Sequence, residues 1–164
     1  MAQQTPDLTN RAADLWDFEE WIRREHAGVG QALVSPTAAL AACWQLSVTA
    51  TSSLYIREIL FSTDTAISFT LWETIGLLAL PGVAAFNLHV NVAPPAEAVF
   101  SAGPLAPPAT SRVLLQGWVP ANFYGSILGR LKLLTFNNVV GIVLQTAPVV
   151  ANCSATFGFI SATN

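Results

Sequence analysis

Charge is what this sequence has least of. Only 10% of its residues are charged, where soluble domains carry about 25%. The few charges also sit unevenly. Residues 1–30 hold Asp7, Asp14, Asp17, Glu19, Glu20 and Glu25 against Arg11, Arg23 and Arg24, whereas Arg57, Glu58, Asp64, Glu73, Glu97, Arg112, Arg130 and Lys132 in residues 31–164 cancel. A charge-poor, neutral surface gives little protection against association. The body is therefore expected to cover much of its surface with partner chains. The bland alternative is a monomer solubilised by its Ser, Thr and Asn side chains.

Other absences exclude whole classes of chemistry. Two cysteines, Cys43 and Cys153, make neither a disulfide framework nor a metal site. They could pair only if they stood on adjacent strands, and buried free thiols are the preferred reading. His26 and His89 are the only histidines; His26 lies among the charges of residues 1–30, and His89 has no Cys, Asp or Glu at ligand spacing. No Gly-rich phosphate loop, Cys-x-x-Cys, His-Glu-x-x-His or Gly-x-Ser-x-Gly occurs. Glu58 and Glu73 are formally a carboxylate pair, but surface partners of Arg57, Arg130 or Lys132 are their expected role. No catalytic residue, cofactor or metal is expected.

Long hydrophobic runs are also missing. The longest apolar stretch, residues 75–86, contains Gly76, Pro81 and Gly82, and a membrane-spanning helix needs ~20 residues. Met1–Asn10 has no basic or apolar signal-peptide region. Neither membrane insertion nor secretion is expected. The acidic balance of residues 1–30 argues against a nucleic-acid arm, which would be basic.

What is present points to a helix followed by strands. Thr5, Pro6 and Asp7 suit a helix start, and Leu8, Ala12, Leu15, Phe18 and Ile22 form one stripe at helical spacing. Gly28-Val29-Gly30 is expected to stop that helix, giving an N-terminal amphipathic arm over 1–30 and a β domain over 31–164. Trp16 and Trp21 widen the apolar stripe. With Arg23 and Arg24 they are candidate contacts to a larger scaffold, because aromatic and Arg residues are common interface anchors. The competing expectation is that the helix packs on its own chain.

In the body, Leu54–Glu73 reads as a β-hairpin turning at Ser62–Thr65, with Ile67, Phe69 and Leu71 alternating against Ser68, Thr70 and Trp72. Further strands are expected at 44–50, 85–92, 112–118, 131–135, 139–144 and 151–161, with a short helical turn at 37–42 and a turn or short helix at 121–129. Residues 93–111 carry Pro94, Pro95, Pro104, Pro107 and Pro108, which favours an extended binding loop with Val99 and Phe100 as anchors. Seven or eight such strands imply a mainly β, antiparallel sandwich.

The helical arm, the charge-poor strands, the Pro-rich loop and the passage VLLQGWVPANFYGSILGRLKLLTFNNVVGIVLQTAPVVANCSATFGFIS over 113–161 together resemble small β-sandwich virion proteins of tailed bacteriophages, nearest to capsid decoration or cement proteins. The resemblance implies a jelly-roll-like sandwich, usually trimeric, that sits in the virion after synthesis in the host cytoplasm and bridges capsid subunits. It carries no catalytic residues. Some members dock through an extended arm, whereas this chain is expected to present a helix. Phe100 and its loop are the candidate intersubunit contact. The competing readings are a tail, fibre-base or other shell component, and a carbohydrate-binding sandwich using Trp72 or Trp118 as a platform.

Overall fold

The computed structural model describes residues 27–48, 52–74, 78–88, 98–105, 112–133 and 141–163, and these form ten strands. They are β1 (Ala27–Val34), β2 (Ala41–Val48), β3 (Ser52–Thr63), β4 (Ile67–Thr74), β5 (Ala85–Asn87), β6 (Ala98–Leu105), β7 (Arg112–Val119), β8 (Phe123–Leu133), β9 (Gly141–Thr146) and β10 (Cys153–Thr163). The first sheet has the order β5-β1-β10-β3-β8 and the second β6-β2-β9-β4-β7. All neighbours are antiparallel. The chain is thus a mainly β sandwich of two five-stranded sheets. The expected N-terminal helix lies outside the described residues, and β1 runs across the Gly30 boundary.

Alternation along the strands builds the core between the sheets. On β10, Cys153, Ala155, Phe157 and Phe159 are buried, while Ser154, Thr156 and Gly158 on the opposite face are half-buried. Trp44 meets Phe61 edge-on at 5.9 Å, and Phe100 meets Phe157 at 5.5 Å. Such pairs add ~0.5–1.5 kcal/mol each beyond area burial. The Trp44 indole N–H donates to the Ala32 carbonyl at 3.0 Å, so the polar edge of this ring is satisfied inside the core. β1 approaches closely because it is glycine where the rings press: a Cβ on Gly30 would stand 2.4 Å from the Phe100 ring.

Residues 54–73 are strands, but they are not a hairpin. β3 belongs to the first sheet and β4 to the second, so residues 64–66 are a corner between layers. A bulge also breaks the two-residue alternation of β3, because Gly158 opposes Glu58 and the next β10 residue, Phe159, opposes Ile56. Ile56, Ile59 and Phe61 consequently share the core. Three further expectations are corrected. Residues 37–40 are a non-helical connection leading into β2, residues 123–133 are strand after a two-residue turn, and residues 98–105 are the edge strand β6. Pro104 fits there because an edge strand needs a partner on one side only.

The outward face of the second sheet is also buried at its centre. Cys43, Gln45, Val143, Gln145 and Trp72 lie in adjacent rows of that face and all have little or no exposure. The Trp72 indole donates to Gln145 Oε1 at 3.2 Å, and the Leu78 backbone N–H donates to Gln45 Oε1 at 3.0 Å. The second bond pins residues 78–83 over the sheet. The same segment then runs along the edge of β6, where Val83 N–H donates to Phe100 O at 2.9 Å and Ala102 N–H to Pro81 O at 3.0 Å.

Candidate interaction surface at the four-turn end

Strand order brings four connections to one end of the sandwich: 35–40, 64–66, 120–122 and 147–152. The register fixes this placement. Val34 opposes Cys153, Cys153 opposes Thr63, and Thr63 opposes Phe123. The turn between β7 and β8 reverses within a few residues because Asn122 takes a positive φ of 57°. Asparagine tolerates that conformation better than most side chains.

Asp64 holds two of these connections together. Its carboxylate accepts from the Asn152 backbone N–H at 2.8 Å and from the Asn152 side-chain amide at 2.6 Å, while its own N–H donates to Asn152 O at 3.2 Å. Thr65 Oγ1 donates to the same carboxylate at 3.0 Å, and Ser35 Oγ donates to Asn152 Oδ1 at 3.2 Å. The hydrogen bond from the Asn152 backbone, then that from its side chain, hold the Asp64 carboxyl below the usual carboxylate range. Hydrogen bonds within the chain therefore serve the one charged side chain described at this end.

Around this polar clasp stand four exposed apolar side chains. Leu33 is 70% exposed, Trp118 65%, Tyr124 77% and Val150 73%. Leu33 and Tyr124 lie in one row across the outer face of the first sheet, with Ser154 and Ser62 between them. Trp118 is the penultimate residue of β7 on the second sheet, and Val150 lies in the 147–152 connection. Scattered exposed apolar residues are ordinary, but strand order brings these four to one end of the sandwich. Fully burying one such side chain contributes ~1.5–3 kcal/mol.

The residues singled out in the sequence fare differently. Trp16, Trp21, Arg23 and Arg24 lie outside the described residues. Phe100 is only 1% exposed and packs on Phe157 inside the sandwich, so its side chain has no surface to offer a neighbouring subunit. Val99 is the exposed neighbour on that strand. Of the two candidate platforms Trp72 is buried and Trp118 is exposed. Leu33, Tyr124 and Val150 carried no local signal, since an apolar residue in a strand or turn is expected inside as readily as outside.

Cys43 and Cys153 are both free and buried, in different sheets. Burial pushes the Cys43 thiol up to about 12 and raises that of Cys153, so neither is a reactive nucleophile at neutral pH. Among the described residues, no three His, Cys, Asp or Glu side chains cluster in a way that would hold a metal ion, and no helix is long and apolar enough to cross a membrane. No family model, curated protein or solved structure matches this chain.

Proposed function

We propose that this chain is a structural component of a virion shell, of the capsid-decoration kind, that works by association of jelly-roll sandwiches. The observation that carries this reading is the four-turn end, a rigid surface with four exposed apolar side chains and one internally compensated charge. Strand order supports it. Without the short β5 and the added β6, the sheets read β1-β10-β3-β8 and β2-β9-β4-β7, an interleaving that fits the eight-strand double Greek key used by viral capsid and lectin domains.

Function in this reading is mass action. Apolar area buried between copies contributes about 25 cal/mol per Å² before association costs are subtracted, and each bound chain favours the assembled shell over its open states. A trimer is the proposed unit. Trp16, Trp21, Arg23 and Arg24 are the proposed contacts to the underlying shell, on the sequence pattern of residues 1–30.

Quantitative mass spectrometry of purified particles tests the proposal. A decoration or shell protein is present in many copies per particle and is lost together with particle stability when Leu33, Trp118 and Tyr124 are replaced by Ser. A few copies per particle would move the chain to a tail or fibre base, and absence from particles would overturn the virion role. The exposed Trp118 favours one second reading, a glycan-binding sandwich. That reading requires glycan binding by the purified chain that disappears in Trp118→Ala.

A further inference from the structure

The three described tryptophans differ in how their polar edge is met. The indole N–H of Trp44 donates to Ala32 O and that of Trp72 to Gln145 Oε1. Trp118 is 65% exposed, and its N–H donates to no group among the described residues. Ile67, Phe69, Leu71 and Val119 belong to the core, so Ser68, Thr70, Gln116 and Trp118 lie on the outer face of the second sheet. Trp118 stands opposite Ser68. Gln116 stands opposite Thr70, which in turn stands opposite Gln145 on β9. The pairing is continuous here, because the β4–β7 bulge comes only beyond Leu71. Ser68 and Gln116 are exposed, Thr70 is half-buried and Gln145 is only 8% exposed. Gln145 accepts from Trp72 through Oε1, yet among the described residues its amide N–H groups have no acceptor, and the side chains of Ser68, Thr70 and Gln116 have no hydrogen-bond partner.

We propose that this patch binds a neutral oligosaccharide, with Trp118 as the stacking ring and Ser68, Thr70, Gln116 and the Gln145 amide as the groups that hydrogen-bond sugar hydroxyls. The choice of ligand comes from the chemistry of the face. A pyranose ring presents C–H groups on one side and hydroxyls around its rim, and each hydroxyl both donates and accepts. An indole offers a flat apolar surface with one N–H, and hydroxyl and carboxamide side chains also donate and accept. Ligand sites combine a few such polar groups with aromatic surface. Opposed residues stand about 5 Å apart and successive outward residues of a strand about 7 Å apart, so the patch is about the size of one or two pyranose rings. Charge decides against an anionic ligand: Glu73 and Arg112, the ionic side chains of β4 and β7, pair with each other at the far end of the two strands. An apolar protein surface fits worse, because it would leave the Thr70 hydroxyl and the Gln145 amide covered and unmet.

The site rests on the glycan-binding reading of the preceding section and not on the virion role. Isothermal titration and intrinsic tryptophan fluorescence of the purified full-length chain test it. Cellohexaose, maltohexaose, chitohexaose and mannohexaose are the neutral probes, and a hyaluronan hexasaccharide is the anionic control. At least one neutral probe is expected to bind saturably and to change the tryptophan emission, and the anionic control is not. Trp118→Ala should lower the affinity at least tenfold, while Trp118→Phe, which keeps a ring on the strand, should retain binding that the alanine variant loses. Thr70→Val and Gln116→Ala should each lower it about two- to tenfold. Tyr124→Ser, on the other sheet, should bind as the parent chain does.

Circular dichroism and the unfolding temperature establish that each variant is folded. Failure of every neutral probe to bind at millimolar concentration overturns the site together with the glycan reading. Binding that survives both Trp118→Ala and Gln116→Ala would leave the glycan reading standing and overturn the site. Loss confined to Trp118→Ala, with Thr70→Val and Gln116→Ala unaffected, also overturns it, as does tighter binding of the anionic control. Glycan binding by a chain that is absent from particles would leave the site standing and remove the virion reading. Incorporation into particles by a chain that binds no probe would do the reverse.

Discussion

The β5/β6 flank and the β7/β8 flank solve the same problem by opposite means. Both expose sheet edges, which cost nothing in water but invite indiscriminate pairing. On the first flank the chain spends residues 78–88 on the repair: Gln45 anchors Leu78, residues 81–83 line β6, and β5 is cut to three residues. The second flank has no such strap among the described residues, and its strands are long. The difference teaches that edge protection is not spread evenly over the molecule. One flank is closed within the chain, and the other has no such cover among the described residues.

Hollowing out the closed side should have the largest effect. Phe100→Ala removes a ring that packs on Phe157 and presses against Gly30, and denaturant unfolding should show a loss of about 3–5 kcal/mol. Tyr124→Ser and Trp118→Ser on the open side should change stability by less than about 0.5 kcal/mol while abolishing association in sedimentation experiments. A similar stability loss on both sides would erase the distinction between them.

A smaller effect is expected from the strap itself. Gln45→Ala leaves the Leu78 N–H without its acceptor and should cost about 1–3 kcal/mol by the same denaturant assay. Protease cleavage within residues 78–88 should become faster, while β7 and β8 are unaffected.

The smallest effect concerns the clasp at the four-turn end. Because hydrogen bonds depress the Asp64 carboxyl in the folded chain, its contribution is present above about pH 4, the ordinary carboxylate value, and is lost as pH falls through the lower folded value. Thermal unfolding of the parent chain against pH should show this added loss on the acid side. Asp64→Asn should show none of it, since the substituted amide does not titrate. Identical pH profiles would remove the clasp from the account.

Individual strands were legible because burial on one face imposes a two-residue period, and β4 and β10 carry it cleanly. Their partners were not. Local alternation in residues 54–73 is the same whether two strands pair in one sheet or turn a corner between two, so the hairpin expectation had no local signal against it. β6 was masked by Pro104, whose cost depends on standing at an edge, and β8 by the Asn122 turn and Gly125. The exposed end was invisible for a related reason: Leu33, Trp118, Tyr124 and Val150 are far apart in sequence and meet only through strand order. Composition conveyed the scarcity of charge but not where on the strands the exposed apolar side chains fall.

Light scattering of the purified chain at tens of micromolar, beside the Trp118→Ser/Tyr124→Ser double variant, tests the central claim most directly. A discrete oligomer is expected for the parent chain and a folded species of lower mass for the variant, with nearly the same unfolding temperature. A parent chain that is monomeric under these conditions would contradict it.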